Sequence, residues 1–285
     1  VPRFSFSKKE LFQKSKAMLV LGATMSVTSL IVALSGFLIQ IYISTTDGLE
    51  AVGFYSAGFL IVNAYVGMIF TAMSTDYFPR LAAINTDNKQ MNVAVNQQAD
   101  VAVLLITPII VLFLTFSPVI VEVLYSSEFN VILGFVTFGV LGTFFKAVSF
   151  SMGYVIIAKG HSKVFITLSI LFNSFFLAIC VLSYMSGGLT GLGIGFLIYY
   201  AVHLVILKIL TKYLYGISFT KSFYKTFVVC ALICSLSYGV TLIESVYLRY
   251  SLLLVLVGIS IGYSIVQFQQ KMDLKQLLRS LLRST

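Results

Sequence analysis

The chain has 285 residues, 59% of them hydrophobic and only 10% charged, with a mean hydropathy of +0.99. That composition excludes a water-soluble core and matches a polytopic membrane protein. The net charge of +9 does not make nucleic acid a partner, because basic residues of membrane proteins gather in loops on one side of the bilayer.

Residues 1–17 carry Arg3, Lys8, Lys9, Lys14 and Lys16 without an apolar stretch of signal-peptide type, and read as a basic cytoplasmic lead-in. Because the chain opens on Val1, we expect it to be a piece of a longer protein. Apolar runs then follow, most of about twenty residues and long enough at 1.5 Å per residue to cross a hydrocarbon core. They predict about eight spans: 18–43, 52–73, 101–116, 132–158, 164–185, 192–210, 227–243 and 252–268. The third run is short. Joined to its polar lead-in at 85–100 it predicts one long helix bent at Pro108, with the lead-in on the cytoplasmic surface. Residues 271–282 place Leu274, Leu277, Leu278 and Leu281 on one side, which suits either an interfacial amphipathic helix or a frayed tail.

The basic residues test this division. Arg80 and Lys89 follow the second span, Lys159 and Lys163 the fourth, Lys208, Lys212, Lys221 and Lys225 the sixth, and Lys271 and Lys275 the eighth. The alternate connections STTDGLEA, SPVIVEVLYSSEFN and SGGLTG hold no Lys or Arg, and the last holds only Arg249. Every second loop is therefore basic, which predicts an even number of spans with both termini cytoplasmic.

Within the spans polar residues are few and patterned. The first carries Gly22, Ser26, Ser29, Ala33, Gly36 and Gln40, and the second Ser56, Asn63, Gly67, Thr71 and Ser74, each at helical spacing. Such stripes serve either tight helix packing or a wet cavity. Lys146 is the one basic residue deep in a span, about 18 Å from its inner end, on a face with Gly139, Gly142, Ser149 and Gly153 that would clear room around the ammonium. A cation at that depth faces a bundle interior or water path, or else snorkels or pairs with a polar group of a neighbouring helix. Asn173 lies at similar depth, and no Asp or Glu does. Cys180, Cys230 and Cys234 lie in apolar runs as packing residues, and His161 and His203 lack the further ligands of a metal site. A lone His203 in a span reads as hydrogen-bonded packing. No nucleophile elbow, phosphate-binding loop or catalytic acid pair is present.

From Met18 to Leu210 the order of VGFYSAG, STDYFPRL, QQAD, the span with Pro108, SPVIVEVLYSSEF and FKAVSFSMGYVIIAKG resembles the second lobe of the MOP flippase superfamily. Within it the likeness is to Wzx-type O-antigen and polysaccharide translocases. The resemblance implies an all-α polytopic membrane fold: a six-helix transport lobe at 18–210, two additional helices at 211–268 and an amphipathic tail at 269–285. It implies a non-enzymatic flippase in the bacterial cytoplasmic membrane, moving a polyprenyl-pyrophosphate-linked oligosaccharide by alternating access against a missing N-terminal lobe, with no cofactor. Lys146, Gln40, Asn63, Asn173 and Ser149 are then the substrate-binding candidates, among surrounding membrane lipids. Other readings are a MATE-like exporter, which would hold a buried carboxylate, a membrane enzyme of polyprenyl-linked sugar metabolism, and an assembly subunit without transport.

Overall fold

The computed structural model describes residues 8–271 apart from Val66, so the amphipathic segment after Lys271 and the first seven residues of the basic lead-in lie outside the described residues. The described chain is helical throughout: α1 (Lys8–Leu60), a π-helical turn (Ile61–Tyr65), α2 (Met68–Ala83), α3 (Asn88–Leu124), a 3-10 turn (Ser127–Ile132), α4 (Leu133–Ala158), α5 (Ser162–Tyr215), α6 (Lys221–Thr241) and α7 (Val246–Lys271).

Two of these helices are too long for one crossing. With 53 and 54 residues, α1 and α5 would each be roughly 80 Å long if straight, against a hydrocarbon core of about 30 Å. Both break at glycine: α1 at Gly48 (φ 86°, ψ −178°), and α5 at Gly187 and Gly188, the latter at φ 55°, ψ −139°. A residue with a Cβ would be strained at Gly48 and at Gly188. In α5 the break reverses the chain, since Phe172 lies 4.3 Å from His203 and Phe176 lies 5.1 Å from Phe196 between ring centroids. In an unbroken helix the first pair would stand roughly 46 Å apart. In α1, Ile39 and Ile43 before the break and Tyr55 after it belong to one buried cluster with Phe135, Tyr184 and Phe196. The six helices long and apolar enough to cross a membrane thus supply material for eight passes.

The connections STTDGLEA and SGGLTG are therefore not loops. Thr45 and Thr46 turn their hydroxyls back onto the Tyr42 carbonyl at 2.9 Å each, so helix continues to the glycine itself. The two breaks lie side by side, joined by a 2.5 Å hydrogen bond from the Tyr184 hydroxyl to Asp47 Oδ2.

α3 is one 37-residue helix with Pro108 and Pro118 inside it. Pro108 has no N–H to give the carbonyl of Leu104, one turn earlier. The Ser264 hydroxyl of α7 donates to that carbonyl at 2.7 Å. Prolines persist in membrane helices where a neighbour's hydroxyl satisfies the freed backbone group in this way.

The polar lead-in to α3 is not a surface segment. Its apolar side, Met91, Val95 and Ala99, is buried, and its asparagines bind backbone elsewhere. Asn88 donates to the Tyr215 carbonyl (2.9 Å), Asn92 accepts from the Ser218 N–H (2.9 Å), and Asn96 both donates to the Ser218 carbonyl (3.0 Å) and accepts from the Thr220 N–H (2.8 Å). Spaced four apart on one helix face, they satisfy the non-helical connection between α5 and α6 that would otherwise leave backbone groups unpaired. Polarity that suits water equally suits a strand of exposed backbone.

α6 and α7 pack against α3. Besides Ser264, Lys271 Nζ bonds both Asp100 Oδ1 and Thr226 Oγ1 at 2.6 Å. On the other side α4 and α5 approach until backbones touch: a Cβ on Gly193 would sit 2.7 Å from the Phe135 carbonyl oxygen. Small residues permit this approach, and dispersion between close backbones replaces the hydrophobic drive absent in lipid.

Candidate functional site

α4 runs alongside the second arm of α1 and α2 in the same direction, so that successive contacts climb together: Gly58 meets Phe135, Val62 meets Gly139, Phe70 meets Phe150, and the Tyr77 hydroxyl donates to the Ser151 carbonyl at 2.7 Å. In the middle of this interface the α1 chain widens into the π turn at Ile61–Tyr65. Gly67 follows so closely that a Cβ there would lie 1.8 Å from the Asn63 carbonyl oxygen. π turns recur at functional sites because they present a side chain out of α-helical phase.

Asn63 is in that turn. Its Nδ2 donates to the Phe59 carbonyl (3.3 Å), and its Oδ1 accepts from Lys146 Nζ of α4 at 3.1 Å. The ammonium also lies 5.5 Å from the centroid of Phe70 and 5.2 Å from that of Tyr200, cation–π distances that favour the charged form of a side chain held away from water. No carboxylate pairs with it: among the described residues the ion pairs are Arg80–Asp76 and Lys271–Asp100. Lys146 is thus a mid-span cation held by an amide and two rings, with its net charge uncompensated.

Between α4 and both arms of α5 lies a cavity of about 340 Å³, onto which Lys146, Ser149, Asn173, Tyr199, Tyr200 and His203 open. Three of the sequence candidates, Lys146, Ser149 and Asn173, therefore share one space. Asn63 reaches it only through its bond to Lys146. Gln40 is not among the residues lining it and sits half-buried on the first arm of α1. Ser149 and Asn173 use their donors locally, on the carbonyls of Lys146 (3.0 Å) and Ser169 (2.8 Å).

The glycines near Lys146 serve a different end from the one expected. Gly139 faces the Val62 side chain and Gly142 faces Leu197 and Tyr200, so both are filled by neighbouring helices rather than clearing space for the ammonium. Gly153 alone of the three lines the cavity. In the first arm of α1, by contrast, a Cβ on Gly22 or Gly36 would meet nothing within 4 Å, and Ser26 and Ser29 bond only to carbonyls of their own helix.

His203 was not legible as a site residue. Rather than being hydrogen-bonded packing, it presses edge-on to Phe172 at 4.3 Å and stacks with Tyr199 at 5.6 Å, and its Nδ1 is buried without a hydrogen-bond partner. Its position depends on the fold-back of α5, which no local sequence signal reports. His161 Nδ1 lies 2.9 Å from the Tyr215 hydroxyl, and among the described residues no cluster of His, Cys, Asp and Glu could hold a metal ion.

The sequence model of a family described as polysaccharide biosynthesis protein matches residues 2–134. No curated protein matches the chain. Among solved structures, the chain is similar to the lipid II flippase MurJ in its inward closed conformation, with a TM-score of 0.60 at 13% identity. The match covers 95% of this chain and 57% of that one, so the chain spans little more than half the length of the solved protein. At this identity the likeness concerns the fold.

Proposed function

Because the chain belongs, by its fold and its family match, to the MOP flippase superfamily, we propose that it is one lobe of a Wzx-type translocase. Its substrate is then a polyprenyl-pyrophosphate-linked oligosaccharide such as an O-antigen or other polysaccharide repeat unit, moved across the bacterial cytoplasmic membrane by alternating access. Residues 18–210 form the transport lobe, 211–268 two additional helices and 269–285 a cytoplasmic tail. The basic loops, and with them both ends of the chain, face the cytoplasm.

The observation that carries this reading is Lys146: a cation at mid-span, beside a cavity and without a carboxylate partner. A charge in that position costs about 2.5–3.5 kcal/mol on insertion scales, and a pyrophosphate would compensate it. A cation exporter would need the opposite charge there. Ser149 and Asn173 line the same space, while Asn63 orients the ammonium. The uncovered small-residue face of the first α1 arm, with Gly22, Gly36 and the nearby Gln40, suits apposition to an N-terminal lobe.

The test is export in a flippase-null strain by the intact transporter. Lys146→Met and Lys146→Gln, which keep most of the volume and remove the cation, should abolish export at normal protein levels, and Lys146→Arg should retain part of it despite its planar head. Wild-type complementation by Lys146→Met would sink the proposal.

A further inference from the structure

Two polar groups on the cavity wall are short of partners. Among the described residues, His203 Nδ1 is the one buried side-chain nitrogen or oxygen with no hydrogen bond. Lys146 has three N–H donors and one hydrogen-bond acceptor, Asn63 Oδ1. A buried polar atom left unpaired is costly, and where it lines a cavity it marks where a ligand atom is expected.

The rest of the wall narrows the ligand class. Phe172 and Tyr199 flank the imidazole, Tyr200 carries the ammonium on its face, and Asn173 completes the rim. Free phosphate would engage Lys146 and leave the aromatic wall and the imidazole unused. An acyl chain would use the rings and leave both polar groups unpaired. A pyranose has apolar C–H faces that lie on aromatic rings and a rim of hydroxyls that both donate and accept, so it answers both needs. The volume of about 340 Å³ is at the low end of the roughly 300–1,000 Å³ usual for ligand sites, which suits one ring rather than a whole repeat unit.

We propose that this cavity is a monosaccharide subsite. It takes the sugar attached directly to the pyrophosphate: ring against Tyr199 and Phe172, a hydroxyl or acetamido group on His203 Nδ1, and the adjoining phosphate at Lys146. His203 thereby becomes a specificity residue for the reducing-end sugar. The inference rests on the lipid-linked-sugar reading above.

The chain in lipid nanodiscs is titrated, by native mass spectrometry, with farnesyl pyrophosphate and with its glucosyl, galactosyl, N-acetylglucosaminyl and glucuronyl esters. At least one ester binds about tenfold more tightly than farnesyl pyrophosphate, the gain expected when an orphaned polar group finds its partner. His203→Phe keeps the ring and its packing, and brings that ratio to about two or less; Tyr199→Leu, which removes the stacking wall by another route, does the same. If no ester gains over farnesyl pyrophosphate, or if the ratio survives both substitutions, the subsite is refuted while the lipid-linked reading stands. If neither farnesyl pyrophosphate nor any ester binds, the parent reading fails with it.

Discussion

Replacing Ser264 by Ala removes one hydroxyl, and the structure indicates why that should matter more than its size suggests. The hydroxyl donates to the Leu104 carbonyl at 2.7 Å, which Pro108 has deprived of its helical donor. Hydrogen bonds between membrane helices contribute on average about 0.6 and at most about 1.7 kcal/mol. This one belongs near the top of that range, because the carbonyl has no other donor and Ser264 is only 5% exposed. We expect Ser264→Ala to cost about 1.5 kcal/mol, read as a loss of stability in detergent by circular dichroism, since the chain has no Trp to report unfolding. Restoring the helical donor with Pro108→Ala should make the same substitution cost below about 0.5 kcal/mol. Ser260→Ala is the control. That hydroxyl is as buried but bonds only the Val257 carbonyl of its own helix, so its loss should be small in both backgrounds. An equal cost for Ser264→Ala with and without Pro108 would refute the reasoning.

Gly193→Val should destabilise by about 2 kcal/mol or more, because its Cβ would enter the Phe135 backbone, whereas Gly36→Ala, facing open space, should leave the isolated chain as stable or slightly more so; parallel melting curves compare them. At the start of α3, N–H donors from Gln90 and Lys89 hold the Asp87 carboxyl below its ordinary pKa of 3.8. A depressed folded-state pKa contributes stability above the unfolded value that is lost as pH falls through the folded one, so protection of the first α3 turn against hydrogen exchange should drop below about pH 4 and Asp87→Asn should abolish that dependence.

Much of the fold was legible because a membrane imposes long apolar runs and the loops sort by charge. The joining of α3 to its lead-in through Pro108 followed from the short third run. What escaped was whatever depends on a distant partner. Asn88, Asn92 and Asn96 looked like a wetted surface, since nothing local distinguishes water from the 215–220 backbone as their ligand. Lys146 and Asn63 each stood out, yet their bond spans 83 residues, and the Gln40 stripe had a clear period but no clear azimuth. His203 was passed over because its orphaned nitrogen exists only once Phe172 and Tyr199 close around it.

The π turn at Ile61–Tyr65 acts as a phase shifter between two halves of one span. Above it Tyr55 stacks on Phe135, and below it Phe70 and Tyr77 stack on Phe150, so both halves keep the same flank towards α4. Substituting side chains within the turn perturbs single contacts, but deleting any one residue would relax it to an ordinary α-helix and rotate everything downstream by about 100°. Phe70 and Tyr77 would then turn away from α4 together. The span is accordingly far more sensitive to a change in its length by one residue than to a change in its composition, and an inserted or lost codon here would act as a misalignment of the whole second half, with Asn63 lifted off Lys146 as its first casualty.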